Sequence, residues 1–251
     1  MAKAKASWLS YMSQVLVLLM LSTLALQVFW ALRILTMRYI HPESTAFQRS
    51  EIARMLTHQS LDWNWSHQWV SAHEINPSMA KAVIASEDTS FTEHFGVDWD
   101  AIEKAWSKNQ KVVQKPLAQQ GKKRKEPKII GGSTITQQLA KNLFLSGERT
   151  IFRKAQELLI TFMLEAVLSK SQIIEIYLNH IEWGQGVFGV EAATQHYFNK
   201  SSRYLTGYQS AQLAVMLPAP RRFQKNPQSA YLLSRANTIY ARMGSVTAPR
   251  P

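Results

Sequence analysis

From Trp8 to Leu32 the chain runs 25 residues without a charge, broken only by mild polar residues such as Ser13, Ser22, Thr23 and Gln27. About 20 apolar residues suffice for a helix to cross the hydrocarbon core of a bilayer. Trp8 and Tyr11 near one end, and Phe29, Trp30 and Tyr39 near the other, stand where interfacial aromatics gather. A cleaved leader has a shorter apolar core and a small-residue cleavage site. The pattern therefore predicts one uncleaved transmembrane helix over 8–32, after a tail of residues 1–7. A stem over 33–66 follows. Trp63, Trp65 and Trp69 fit packing on the domain better than a place at the membrane surface.

Over residues 67–243 the apolar period is helical. Pro77 suits the first turn of a helix through Met79, Ala82, Val83 and Ala85. A second helix fits 99–106. Thr134 with Gln137, and Ser169 with Gln172, read as capping boxes opening helices to about Leu145 and through Tyr177. Between them, Ile151, Phe152, Ala155, Leu158, Leu159, Phe162, Met163, Ala166 and Val167 form the clearest amphipathic stripe, the kind that normally faces a core. Gly184, Gly186 and Gly189 mark turns. Further helices are expected over 190–197, 208–217 and 228–243, before a tail over 244–251. Strand patterns are scarce, so the expected class is mainly α.

Composition changes this picture little. The chain has 251 residues, enough for one domain and an anchor, with 46% apolar and 18% charged residues, which excludes a largely disordered chain. It has no cysteine, which excludes disulfides and thiolate metal sites. Charge matters more. The net +12 points to nucleic acid, anionic lipid or phosphate-bearing substrates. Much of it lies in 107–130, where eight lysines and arginines face only Glu126. Two readings stand for that segment, a solvated loop and a contact with acidic head groups. The flanking charges do not support placing the C-terminal domain outside: Lys3 and Lys5 precede the span, while Arg33, Arg38, Arg49 and Arg54 follow it.

Three constellations carry candidate chemistry. Residues 85–98 crowd Glu87, Asp88, Glu93, His94 and Asp98 at the end of an apolar helix. A carboxylate there is partly desolvated, which raises its pKa toward acid–base use; the bland alternative is capping and turn chemistry. Gly131-Gly132-Ser133-Thr134 precedes a capped helix, whose free N–H groups can bind an anion. Arg149, Arg153 and Glu157 share a helix face opposite the apolar stripe, with Lys154 beside them and Lys141 one turn beyond Gln137. This row reads either as a solvated face with i,i+4 pairs or as a cationic cradle for a pyrophosphate. Ser78-Met-Ala-Lys81 matches S-x-x-K but lacks its downstream partners. No H-E-x-x-H, P-loop or G-x-G-x-x-G occurs, and the histidines show no metal-ligand spacing.

Taken in order, these motifs resemble the peptidoglycan glycosyltransferase family, lysozyme-like enzymes that polymerise lipid II. Glu87 to Gly96 matches E-D-x-x-F-x-x-H-x-G, Gly131 to Asn142 matches G-G-S-T-I-T-Q-Q-L-x-K-N, and Arg153 to Glu157 matches R-K-x-x-E. Ile176 to Ala193 holds I-Y-L-N and G-x-G-x-x-G-V-x-A-A. The similarity spans roughly residues 67–243, and the chain looks like the monofunctional, membrane-anchored form, for which no transpeptidase domain is expected.

The resemblance implies a lysozyme-like helical domain with a smaller, membrane-facing jaw, where 107–130 falls. It implies that Glu87 is the general base for the 4-hydroxyl of the acceptor sugar, attacking the anomeric carbon of a growing, lipid-linked glycan chain. Polyprenyl pyrophosphate leaves and a β-1,4 link forms with inversion. Lys141, Arg149, Arg153 and Lys154 would neutralise the pyrophosphate, while Ser133, Thr134, Gln137 and Asn142 position the sugar–phosphate region. Glu157 would be the second carboxylate, and Asn179 a structural hydrogen-bonder. No cofactor is required; a divalent cation such as Mg²⁺ is an optional helper that no ligand set demands. Expected partners are lipid II, the growing chain, membrane lipids and other cell-wall synthesis and division proteins, not nucleic acid. A lipid II polymerase works on the periplasmic side of the bacterial inner membrane, which would set the orientation. Two positions depart from the family pattern: Asn199 where glycine is usual, and Gln209 where an acidic residue is common. The rivals are a muramidase or lytic transglycosylase, which cuts uncharged sugars and needs no cationic row, and a non-catalytic scaffold.

Overall fold

The computed structural model describes residues 2–57, 65–113, 132–145, 147–148 and 150–250. Arg149, Gly131, Trp63 and most of 107–130 lie outside the described residues. The first helix, α1 (Ala2–Thr36), is one unbroken rod of 35 residues. Within it Trp8–Thr36 is long and apolar enough to cross a membrane. Its far end does not stop at a flexible joint. Ile34 and Met37 are buried in the hydrophobic core of the domain.

Helix α2 (Ala46–Thr57) packs on the domain. Its buried Glu51 accepts from Arg54 and from Arg221. Arg221 also donates to Glu182, so one guanidinium joins α2 to the small sheet. That sheet has the order β1 (Ser66–His67), β3 (Val187–Phe188), β2 (Glu182–Gly184). Strands β1 and β3 run parallel with Ser66 opposite Val187, and β2 and β3 antiparallel. Trp65 lies against Phe188, with ring centres 5.1 Å apart, and Trp69 stacks on His41 at 4.3 Å, so both pack on the domain.

The rest is helical: α3 (Pro77–Glu87), α4 (Trp99–Val113), α5 (Ile135–Phe144), α6 (Ile151–Val167), α7 (Lys170–His180), α8 (Val190–Phe198), α9 (Gly207–Met216), α10 (Pro220–Phe223) and α11 (Ala230–Arg242). The caps expected at Thr134 and Ser169 both form as reciprocal boxes. Gln209 supplies a third box with Thr206, so the missing acidic residue costs no cap. Asn199 ends α8 at φ 53°, the left-handed conformation that glycine otherwise provides. Helix α3 is the hub. Met79, Ala82, Val83, Ile84 and Ala85 are buried, and α3 packs against α9 and α11.

Helix α6 reverses one expectation. The start of its apolar stripe does not face the core: Ile151 and Phe152 are 88% and 89% exposed and Leu159 is also exposed, while Met163 and Val167 further along do pack against it. The buried positions are Glu157, Ile160, Thr161, Leu164 and Glu165. The first turns thus hold Glu157 inward and leave Ile151 and Phe152 outside, while Ile160 and Leu164 join the core. A stripe reports a helix's two faces, but not which one meets lipid.

Candidate active site

Glu87 ends α3, whose Met79, Ala82, Val83, Ile84 and Ala85 are buried, and so stands at the mouth of an apolar environment. Ser86 Oγ donates to its Oε1 at 3.1 Å and Gln138 Nε2 to its Oε2 at 3.0 Å. Tyr177 in turn donates to Gln138 Oε1 at 2.9 Å, which fixes the amide so that its N–H₂ faces the carboxylate. Burial pushes the Glu87 pKa up from the ordinary value; these two hydrogen bonds pull against it, and neighbouring Asp88 adds to the rise.

Asp88 does different work. One oxygen pairs with His94 Nε2 at 2.8 Å and the other accepts from the Ile135 N–H at 3.0 Å. The segment after Glu87 is thereby pinned to the start of α5. Thr134 Oγ1 tightens the join by donating to the Gly96 carbonyl at 2.6 Å. Gly96 sits at φ +78°, and a Cβ there would lie 2.7 Å from Thr161 Cγ2, so no other residue fits. Behind it, buried Glu165 accepts from Thr136 at 2.6 Å and Lys170 at 2.7 Å.

Two adjoining cavities make the cleft. One, of about 190 Å³, is lined by Ser86, Glu87, Asp98, Ser133, Thr134 and Arg242. The other, of about 250 Å³, is lined by Ile102, Trp106, Ser133, Gln137 and Lys154. Gly132 and Ser133 border both, so the cleft bends around the glycine turn. Gly132 is where α4 comes close: a Cβ would meet Ile102 Cγ1 at 3.3 Å. A larger cavity, of about 500 Å³, lies among Asn76, Lys81, Glu175 and Arg250 and includes none of these groups.

The cationic row is brought together as its spacing suggests. Glu157 is 3% exposed, with Arg153 at 2.8 Å and Lys154 at 2.5 Å. Lys141 lies within their field. Burial lowers its pKa first, Glu157 opposes that, and Arg153 and Lys154 add to the lowering. Four charged groups from α5 and α6 therefore form one cluster on the α6 side of the cleft, and Arg149 falls outside the described residues.

Other expected positions divide. Ser133 lines the cleft. Thr134 and Gln137 line it too, but Thr134 Oγ1 accepts from the Gln137 N–H and Gln137 Oε1 from the Thr134 N–H, so both are occupied in the cap. Asn142 is buried on α5, and the two described cavities are lined without it. The anion site expected at the start of α5 is partly filled from within, since Asp88 takes the Ile135 N–H and Thr134 the Gln137 N–H. Asn179 bridges Val70 through both its amide atoms, as a structural hydrogen-bonder does.

The transglycosylase family matches residues 54–244, which take in the cleft and every helix around it. The chain belongs to the transglycosylase family. Relatives agree over nearly their whole length. The chain is 45% identical to the biosynthetic peptidoglycan transglycosylase of Herminiimonas arsenicoxydans, covering 96% of each, and 46% identical to that of Bordetella avium, covering 99% of each. The corresponding protein of Bordetella pertussis (strain Tohama I) is 42% identical across 98% of this chain and 97% of its own. Within the transglycosylase cleft, sequence reasoning missed Arg242, Tyr177 and the separate duty of Gln138. Arg242 is about 155 residues from Glu87 along the chain, and nothing local announces that α11 delivers it to the same cavity.

Proposed function

We propose that this transglycosylase is a membrane-anchored peptidoglycan glycosyltransferase that polymerises lipid II into β-1,4-linked strands, with Glu87 as general base. The observation that carries the reading is the cleft's asymmetry. A carboxylate with a raised pKa stands at one end, and a cluster of three cations around one buried carboxylate stands at the other. The first end suits the acceptor. Glu87 takes the proton of the sugar 4-hydroxyl as its oxygen attacks the anomeric carbon of the lipid-linked donor. The second end suits the leaving group. As the anomeric C–O bond breaks, its electrons go to the pyrophosphate, where Lys141, Arg153 and Lys154 stabilise the charge. Buried Arg153 Nε has no acceptor among the described residues, a donor left over for an anion. Glu157 keeps the cations assembled until the substrate arrives.

Among the described residues no three carboxylate, imidazole or thiol groups converge, and no step of this reading is routed through a metal ion. Exposed Phe95, Trp99, Trp106, Ile151 and Phe152 supply an apolar surface that suits lipid, and with the apolar α1 they support work at a membrane. A lipid II polymerase acts on the periplasmic face, which puts the tail before Trp8 in the cytoplasm. Labelled lipid II supplies the test. Polymer should form with the native chain and fall by at least about a hundredfold in Glu87→Gln, the range for loss of a positioned base. A variant that polymerises at the native rate removes Glu87 from the reaction.

A further inference from the structure

We propose that Gln27, inside the membrane helix, is a positioning residue for the cationic row on α6. Counting from Trp8, about 20 residues cross the hydrocarbon, which leaves Gln27 at its outer edge. There its amide forms a reciprocal pair with Gln156. Gln27 Nε2 donates to Gln156 Oε1 at 2.9 Å, and Gln156 Nε2 donates back to Gln27 Oε1 at 3.1 Å. Two amides that satisfy each other fix both distance and rotation, and the partly buried pair meets its own hydrogen-bonding needs at the edge of the hydrocarbon.

Gln156 is the immediate neighbour of Glu157 and lies one turn from Arg153. Successive residues of a helix are about 100° apart, so holding Gln156 against α1 holds Glu157 and Arg153 toward the cleft. Around this contact the start of α6 is open, since Ile151, Phe152 and Leu159 are exposed, so the amide pair fixes the part of the helix that carries Arg153 and Glu157. The same rod touches the other helices of the site. The Arg33 guanidinium lies 5.3 Å from the Phe144 ring at the end of α5, which carries Gln138 and Lys141. Gln172 of α7 donates to the Arg38 carbonyl just beyond the rod. Gln27, Trp30, Ile34 and Met37 follow one another at helical spacing, so the partner face of α1 is continuous down to the core.

This inference rests on the cationic row acting on the lipid pyrophosphate, and the test separates the two. Full-length protein in bilayer nanodiscs is assayed with lipid II as Gln27→Leu, Gln156→Leu and the double variant. Each single change is expected to lower kcat about fivefold with KM within about twofold, and the double to be no slower than either single, as coupled residues require. The double variant leaves no amide unsatisfied, so its thermal midpoint should match the native one while kcat stays low, a split that a purely structural contact does not give. The chain has no cysteine, so Gln27→Cys with Gln156→Cys can be joined by a short bismaleimide. Joining them should restore kcat. Additive losses, a native kcat in the double variant, or a rise confined to KM would overturn the proposal. Normal polymerisation by Arg153→Ala would instead overturn the cationic-row reading itself.

Discussion

Glu87 is held in a state that favours its chemistry over its stability. Burial raises its folded pKa above the ordinary 4.5, so the folded chain binds this proton more tightly than the unfolded chain. The stabilising share of that proton is complete below the ordinary value and is lost as pH rises through the raised one. At neutral pH the ionised carboxylate is therefore a net cost. Glu87→Gln, uncharged and of the same shape, should unfold at a higher temperature than the native chain near pH 7. The gap should close as pH falls below 4.5. Thermal scans across that range in detergent check this, and equal midpoints at neutral pH would show that the buried charge costs nothing. The rate should move the opposite way. The native kcat/KM should fall on the acid side with a midpoint above 4.5, because only the ionised form accepts the sugar proton. Tyr177 acts one step back. Tyr177→Phe removes the donor that orients Gln138, at a cost of about 1 kcal/mol in stability, and frees the amide to turn its oxygen toward Glu87. A kcat about tenfold lower in that variant, with substrate affinity kept, would mark an orienting role.

Helix α6 shows best what could and could not be read along the chain. The period of its apolar residues and the spacing of Arg153 with Glu157 were legible, because they follow from helix geometry alone, whereas the Thr150 cap that starts it was not read. The direction of its faces was not. Inward-facing apolar residues are expected where water is the only alternative, but α6 has α1 and an exposed apolar surface on one side and a charged cleft on the other. The capping boxes of α5 and α7 were legible for the same local reason, while Arg242 was not, since α3 and α11 meet only through tertiary packing. The reversal makes a sharp prediction. Ile151→Ser and Phe152→Ser should change the unfolding free energy by less than about 0.5 kcal/mol, as exposed positions do. Leu164→Ala, fully buried on the other face, should cost about 2–5 kcal/mol. If Phe152→Ser destabilised the fold as much as Leu164→Ala, α6 would be facing the other way.

At the scale of the whole molecule, the membrane helix and the domain are one folded unit. An anchor that merely tethers could be cut anywhere in its length without consequence for the domain. Here the last turns of α1 enter the core: Ile34 is 0% exposed, Met37 is buried, and the same cluster includes Met79, Leu139 and Ile160 from α3, α5 and α6. Those three helices carry Glu87, Gln138 and Glu157. Side chains on the lipid side of α1, such as Leu21, are exposed and contribute nothing to that packing. Ile34→Ala should therefore destabilise the full-length protein by about 2–5 kcal/mol, through lost transfer energy and the cavity left behind, whereas Leu21→Ala should leave its unfolding unchanged. Truncation should follow the same boundary. A chain begun at residue 27 keeps the whole buried face and should fold, while one begun at residue 38 loses Ile34 and Met37 together and should unfold at a markedly lower temperature. Midpoints for these four proteins, taken in one detergent, decide the matter. A chain begun at residue 38 with the stability of the chain begun at residue 27 would return α1 to the status of a simple tether.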